Sequence, residues 1–494
     1  MWPFRKRTLS HDQASEIDPP FSPDPTSLSA VVPKILWIEL TSKCPFDCIF
    51  CSRQVRRGAG EHMEFELFCS LIGELDRPEI IRLNYSGESI HYPHLIKAIR
   101  LAKSTGAVTE LVSAFSSVSS QVLHGLVESG LDRLSISLHT LDPKQYETIY
   151  RFGSLVCLQE RVQELVHLKE QMGTALPKLD FAFVAMSENL LQLGKVAGYA
   201  TQIGVRELFI HPVLRRDGIP RAFSKELIGH RMTEAFRQSL HRTVELAREE
   251  YPAIRFVVCN PQIESKNCLT SLPMPFGGEL PDGARIHTCD QNPWQTVHVL
   301  ANGDVTVCEV QDRVALGNLK AQSLREIWQG PRYRRFRERY LQGSVAECRH
   351  CPWKVAYLPG PARSFIDATE GMSPQLLKGW HLQNGENVLW SQQESLLILK
   401  NGKHKRRLRL QGILPQSVQE TNRLQVECQG IPLGVIENPT RQFLSFDASF
   451  DIPATPTDFL SLKLTALEVF RPSSCSESED HRDLGFALIR AEML

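Results

Sequence analysis

The sequence Ile35-Leu36-Trp37-Ile38-Glu39-Leu40-Thr41-Ser42-Lys43-Cys44-Pro45-Phe46-Asp47-Cys48-Ile49-Phe50-Cys51 joins a strand pattern to a cysteine triplet. Leu36, Ile38 and Leu40 alternate with Trp37, Glu39 and Thr41, as a strand with one apolar and one polar face requires. The same alternation recurs downstream. Leu134, Ile136 and Leu138 oppose Ser135, Ser137 and His139, and Leu83 and Tyr85 oppose Asn84 and Ser86. Strands are expected to begin near Leu36, Glu79, Val108, Leu131, Leu179 and Glu207, with a weaker one at Ile254–Val258. Amphipathic stretches such as Phe65–Leu75, His94–Ser104 and Leu158–Met172 lie between them. Strand–helix units in series imply a parallel sheet. Parallel strands buried on both faces read as continuous apolar runs. A polar face on each strand fits a barrel, or part of one, around a wet cavity, with function at the strands' carboxyl ends.

The chain has 494 residues, 42% apolar and 23% charged, with 56 basic and 56 acidic side chains. This is the make-up of folded globular protein, and the length fits about three domains at roughly 150 residues each. A formal net charge of zero gives no whole-chain attraction to nucleic acid or to an anionic membrane, and neither is expected as a partner. No apolar run approaches the roughly 20 residues of a membrane span. Residues 1–33 carry Arg5, Lys6 and Arg7 without the apolar core of a signal peptide, and read as a flexible leader. Thirteen cysteines in a large chain without export features point to reduced thiols or metal ligands rather than a disulfide framework.

The strand–helix region is expected over 34–284. A small α+β region follows over 285–359, with a hairpin of Thr296–Leu300 and Asp304–Cys308 around Asn302-Gly303. The next helix, Leu324–Tyr340, carries Arg332, Arg334, Arg335, Arg337 and Arg339 and reads as a solvated basic face. Residues 360–376 read as a linker. Strict alternation in segments such as 460–465 makes 377–494 an all-β sandwich.

Cys44, Cys48 and Cys51 form C-x-x-x-C-x-x-C just past the first strand, at the mouth where a barrel binds ligands. Three thiolates hold three corners of a cubane cluster and leave the fourth iron without a protein ligand from that loop, whereas clusters that only carry electrons have four cysteines. An open metal position is a place for chemistry. A zinc loop or buried free thiols are the plain alternatives.

The stretch Thr41–Cys51 resembles the cluster loop of radical S-adenosylmethionine (SAM) enzymes, and the resemblance continues for over two hundred residues. Ser86-Gly87-Glu88-Ser89 looks like that family's Gly-Gly-Glu-Pro segment, which receives the SAM amino group. Serine stands here for the first glycine and for the proline. The resemblance implies a partial (βα)6 TIM-like barrel, a SAM-binding 4Fe–4S cluster on the three cysteines, and a SAM pocket holding Phe50, Ser86, Gly87, Glu88, Ser137, His139 and Asn189. Ser137 and His139 match the family's fourth strand, Asn189 the region beyond the fifth that meets the ribose, and Phe50 would pack over cluster and adenine. SAM would chelate the open iron. One electron from the reduced cluster would cleave it to methionine and a 5′-deoxyadenosyl radical, which takes a hydrogen atom from substrate. For each pocket residue the plain alternative is a strand-end turn or a core contact.

Cys289, Cys308, Cys348 and Cys351 form a second set, a full complement for another cubane or for a zinc ribbon. Cys289, Pro293-Trp294, Leu316-Gly317-Asn318-Leu319 and Glu326-Ile327-Trp328 look like the SPASM/twitch extension of radical SAM proteins, which implies an auxiliary 4Fe–4S cluster. A full SPASM domain has seven cysteines; with no suitable ones after Cys351, one auxiliary cluster is expected. Cys428 reads as core, and Cys69, Cys157, Cys259, Cys268 and Cys475 lack ligand spacing.

An auxiliary cluster with four thiolates favours outcomes that move an electron, such as oxidation or crosslinking, although epimerisation stays open. His139, Asp142, His211 and Asp217 are strand-end candidates on the substrate side, and no catalytic acid or base can be assigned among them. Gly379-Trp380, Trp390, Arg471-Pro472 and 480–486 resemble β-modules of surface-polysaccharide proteins, so a carbohydrate or glycosylated substrate is the first expectation, with Trp380 and Trp390 either stacking sugars or filling the core. A ribosomally made peptide is the second. A non-catalytic electron-transfer or scaffold protein is the third. An electron donor such as flavodoxin or ferredoxin and a cytoplasmic setting complete the expectation.

Overall fold

The computed structural model describes residues 32–53, 58–214, 219, 223–228, 231–259, 280, 282–309, 314–351, 353–359, 362–371, 373–381, 387–402, 406–416, 421–452, 458–472 and 482–494. Nearly all of the expected leader, Asp217, Cys268 and Cys475 lie outside these residues. The chain divides into two compact units, one drawn from 32–259 and 290–337, the other from the remaining described residues.

The first unit is built on β1 (Ile35–Ile38), β2 (Ile80–Arg82), β3 (Val108–Ser113), β4 (Arg133–Ser137), β5 (Lys178–Ala185) and β6 (Glu207–Pro212). These pair in parallel in chain order. A two-residue hairpin, β7 (Leu227–Ile228) and β8 (Arg231–Met232), precedes β9 (Arg255–Val258), which adds to β6 in parallel. The helices between strands are α1 (Phe65–Gly73), α2 (Leu95–Ser104), α3 (Ser120–Glu128), α4 (Pro143–Tyr150), α5 (Leu155–Gln171), α6 (Leu193–Gln202) and α7 (Glu234–Glu250). Their starts follow the cap chemistry of the sequence. Ser119, Asp142, Ser154 and Thr233 each accept the backbone N–H three residues on, satisfying a donor that the helix leaves open.

The 296–308 hairpin belongs to this same sheet. After β10 (Arg285–Cys289), strand β11 (Thr296–Val299) pairs parallel to β1, and β12 (Asp304–Thr306) and β13 (Gly317–Asn318) continue antiparallel. The ten-stranded path from β13 to β9 is open, a partial barrel, and the hairpin covers what would otherwise be the exposed edge of β1.

Both faces of β1 are buried, the apolar face under helices and the polar face inside the barrel. Inside, basic and acidic side chains from different strands pair. Arg82 pairs with Glu110 at 2.8 Å, Arg133 with Asp180 at 2.5 Å and Glu207 at 3.6 Å, and Ser135 donates to Asp180. Taking one partner from a buried pair costs about 3–5 kcal/mol, because the other charge stays in low dielectric. Asp180→Ala is accordingly expected to lower stability by about 3 kcal/mol, read as a drop in the urea midpoint of the barrel's unfolding. A midpoint unchanged from wild type would contradict this.

Helices α8 (Leu324–Trp328) and α9 (Pro331–Leu341) follow, α8 opened by a capping box between Ser323 and Glu326. Arg332, Arg334, Arg335 and Arg339 are exposed as expected, but Arg337 is not. Its guanidinium lies 4.2 Å from the Trp328 ring centre and 4.3 Å from that of Tyr333, and donates to the carbonyls of Pro293 and Trp328. Backbone acceptors and aromatic faces replace its water, so one arginine of the basic row is core.

In the second unit β10 pairs antiparallel with β14 (Lys354–Tyr357), and α10 (Ala346–His350) precedes β14. The remaining strands are β15 (Phe365–Asp367), β16 (Leu376–Trp380), β17 (Leu389–Lys400), β18 (Arg407–Leu414), β19 (Asn422–Cys428), β20 (Ile431–Asn438), β21 (Leu444–Asp451), β22 (Phe459–Ala466) and β23 (Ala487–Met493). They form one antiparallel sheet on the path β20-β19-β22-β17-β23-β18-β21, with β15 pairing with β23 and β16 with β17 off that path. The 12-residue β17 gives its first residues to β23 and its later ones to β22, so the two faces of a sandwich join as one barrel-like sheet. Leu460, Leu462 and Leu464 are fully buried in a single core, as their alternation predicts.

The expected linker 360–376 is not a free tether. Strand β15 pairs with β23, and Gln375 donates to the carbonyls of Arg363 and Ile398. Its few apolar residues, Phe365 and Ile366 among them, are too short a run to read as a strand without the partner that completes it. Among the described residues no helix is long and apolar enough to cross a membrane.

Candidate active site

The cysteine loop leaves β1 at the barrel mouth and is pinned on both sides. Asp47 N–H donates to Tyr150 O at 3.2 Å and Ile49 N–H to Ile149 O at 3.0 Å, while Arg151 holds the Asp47 carboxylate at 2.8 Å. Before the cysteines, Ser42 N–H donates to Glu61 O, and Arg53 donates to Ser42 O at 2.9 Å. Cys51 N–H closes onto Cys48 O at 2.9 Å, a turn that gathers the last two thiols.

Burial pushes the Cys44 thiol up to about 12, and the neighbouring Glu88 carboxylate and Cys51 push the same way. The Cys48 thiol is raised well above its ordinary value by burial, then by Cys51 and Cys44. The three sulfurs are thus close enough to oppose one another's ionisation. Three thiolates can coexist here only with positive charge among them, which the irons of a cluster would supply. Among the described residues, no three or more His, Cys, Asp or Glu side chains converge on a single metal ion. A cubane places one thiolate on each of three irons, so its ligands do not meet at one atom.

The Ser86–Ser89 segment lies directly on this loop. Glu88 N–H donates to Lys43 O at 2.9 Å. At Gly87 a Cβ would run into Thr41 O and stand 2.7 Å from Lys43 O, so only glycine lets the two backbones meet. Glu88 is buried; Oε2 accepts from Ala114 N–H at 2.8 Å, and desolvation lifts the carboxyl to about 7. A buried carboxylate beside three thiols is suited to an ammonium group brought in with the cluster's own ligand. Ser86 donates to Glu39, a buried carboxylate on the polar face just past β1.

The other expected pocket residues divide. Phe50 meets His139 edge-on, ring centres 5.0 Å apart, and His139 stacks flat on Tyr150 at 5.1 Å. His139 Nδ1 accepts from Val184 N–H at 3.1 Å, and burial lowers its pKa to about 3, so it is a neutral wall rather than an acid. Ser137 ends β4, half-buried, its carbonyl accepting from Tyr150 Oη at 2.8 Å. Asn189 is fully buried and committed to backbone: Oδ1 accepts from Met186 N–H, and Nδ2 donates to His139 O and Val184 O. It fixes the turn after β5. Asp142 is the N-cap of α4, accepting Gln145 N–H at 2.8 Å, and His211 lies near the end of β6.

Of the second cysteine set, Cys289 ends β10, Cys348 sits in α10, and Cys351 caps that helix. The buried Tyr340 phenol faces all three, hydrogen-bonded to Cys289, and burial with these thiols raises its pKa. Cys308 follows β12 in the first unit. Cys428 is core, its thiol raised to about 12 by burial.

Of the residues that suggested sugar binding, Trp380 and Phe486 are core. Trp380 is 2% exposed and its indole N–H donates to Leu396 O at 3.0 Å; Trp390 is half-buried against Phe443. A Cβ at Gly485 would strike Gln392 O, and Phe486 lies in the core. Sequence reasoning passed over Glu39 and Tyr340. A carboxylate in the polar register of a strand, immediately before the triplet, was the available signal for the first; the second had none.

Residues 38–168 match the model of the radical SAM superfamily, and residues 289–352 match SPASM, an iron–sulfur cluster-binding domain. The tungsten-containing aldehyde ferredoxin oxidoreductase cofactor-modifying protein of Pyrococcus furiosus is 25% identical over 186 residues, 37% of this chain and 52% of that protein. The PqqA peptide cyclase of Gluconobacter oxydans is 22% identical over 333 residues, 65% of this chain and 83% of that one. The crystal structure of Streptococcus suis SuiB aligns with a TM-score of 0.49 at 15% identity, covering 62% of this chain and 68% of that one. The chain spans about half the length of the first of these relatives.

Proposed function

We propose, on the premise that the chain carries a radical SAM domain at 38–168 and a SPASM iron–sulfur domain at 289–352, that it is an enzyme that cleaves SAM reductively to abstract hydrogen from its substrate. The observation that supports this most is the contact between the three-thiol loop and Gly87–Glu88, which sets a buried carboxyl group beside the thiols that would hold an incompletely ligated cluster. When bound, the reduced 4Fe–4S cluster supplies the electron that converts SAM to methionine and a 5′-deoxyadenosyl radical.

Cys44, Cys48 and Cys51 would hold the cluster and leave one iron for SAM. Glu88 would accept the SAM ammonium, with Gly87 allowing the approach. Phe50 and the His139–Tyr150 stack would wall the pocket, with the polar atoms of His139 and Tyr150 turned to the backbone. Cys289, Cys308, Cys348 and Cys351 would hold the auxiliary cluster as an electron relay, with a flavodoxin- or ferredoxin-like protein as donor.

The substrate reading is a peptide. The PqqA peptide cyclase aligns over 333 residues, well beyond the barrel, whereas Trp380, one of the two tryptophans considered for sugar stacking, is core. Anaerobically reconstituted protein with dithionite and SAM is expected to release 5′-deoxyadenosine, and a peptide substrate to lose hydrogen mass in the same reaction. Absence of 5′-deoxyadenosine from protein holding its full iron would contradict the assignment. Its formation with glycans but not peptides would move the substrate to the carbohydrate class.

A further inference from the structure

Glu39 is 1% exposed, on the polar register of β1 with Trp37 and Thr41. Its two carboxylate oxygens serve two distant parts of the barrel mouth. Oε1 accepts from the hydroxyl of Ser86, the residue before the crowded Gly87. Oε2 accepts from the backbone N–H of Ala301 at 3.0 Å, in the turn between β11 and β12. That turn is itself firm. Leu300 N–H donates to Asp304 O at 2.8 Å, Asn302 and Asp304 bond each other, and Asn318 bonds both. From β12 the chain reaches Cys308 within two residues.

We propose that Glu39 is a positioning residue that fixes the Ser86–Glu88 segment against the Ala301 turn, so that the carboxylate that would receive the SAM ammonium and the strand leading to Cys308 are held by one side chain. This rests on the SAM-binding reading of Glu88. Serine at position 86 has a physical role in this arrangement. The glycine that the related motif carries has no hydroxyl to donate, and Glu39 Oε1 would then lack that buried partner.

The geometry separates three variants. Glu39→Ala removes both bonds. Glu39→Gln keeps both, since its amide oxygen can accept from Ala301 N–H and its amide nitrogen can donate to Ser86 Oγ. Ser86→Gly removes one bond without adding bulk.

In anaerobically reconstituted full-length protein, Glu39→Ala is expected to weaken SAM binding about tenfold with iron content unchanged, a tenfold change being about 1.4 kcal/mol. Glu39→Gln is expected to restore most of the affinity. Ser86→Gly is expected to weaken binding severalfold, and to add nothing in the Glu39→Ala background, because both act through one contact. Hydrogen exchange in the peptide over 296–306 should quicken in Glu39→Ala and stay slow in Glu39→Gln, a readout independent of SAM.

Wild-type SAM affinity in Glu39→Ala, or additive losses in the double variant, would overturn the proposal. Should Glu39→Ala fail to fold, Ser86→Gly with wild-type affinity overturns it alone. Failure of wild type itself to bind SAM would instead remove the reading on which it rests, and the exchange measurement would still report whether Glu39 holds the turn.

Discussion

Gly87→Ala is expected to abolish useful SAM binding at concentrations that saturate the wild type. The added methyl has nowhere to go. Its position falls on Thr41 O and 2.7 Å from Lys43 O, backbone atoms of the cysteine loop rather than ends of flexible side chains. Lys43 O also accepts Glu88 N–H, so relieving the clash means parting the two segments that the site depends on. Overpacking costs about 1–3 kcal/mol where neighbours can shift. With both neighbours fixed, the loss of affinity is expected near the upper end, about a hundredfold. Equilibrium dialysis with labelled SAM under anaerobic conditions measures it. Affinity within twofold of wild type would mean that Gly87 does not lie where SAM binds.

The second large effect is on iron. Protein with Cys44, Cys48 and Cys51 all replaced by alanine is expected to lose about four irons and all reductive SAM cleavage, while keeping about four on the auxiliary thiols. Three reasons converge on this outcome. The loop thiols crowd one another, and burial disfavours the charged form of Cys44 and Cys48. No cysteine outside the two sets is recruited by spacing, and Cys428 is sealed in the β core. Iron and sulfide analysis with the visible spectrum decides it. Complete loss of iron would refute the auxiliary site, and undiminished 5′-deoxyadenosine would refute the loop site.

Much of the barrel was legible because its strands carry two signals at once. Leu36-Ile38-Leu40 and Leu134-Ile136-Leu138 mark a helix-covered face, and their polar counterparts mark an interior, which only a curved sheet accommodates. The weak segment near Ile254 proved to be β9, edge-paired to β6. The triplet likewise announces itself by spacing.

What was hidden depends on partners distant in sequence. Nothing local says that Thr296–Val299 pairs with β1, that Phe365–Asp367 is a strand, or that Arg337 alone among five arginines is buried between Trp328 and Tyr333. Asn189 shows the same limit from the other side. Its place after β5 suggested a ligand contact, and the structure commits its amide to the backbone of His139, Val184 and Met186. For Trp380 the sequence left both stacking and core open, and its neighbours on β17 enclose it and take its N–H.

The central claim is that the loop cluster keeps one iron open to SAM. Electron paramagnetic resonance of dithionite-reduced wild type, with and without SAM, tests this most directly. The account predicts that SAM shifts the signal of the loop cluster in wild type and has no effect in the triple-alanine variant. A loop-cluster spectrum unmoved by saturating SAM, in protein shown to contain its full iron, would contradict it.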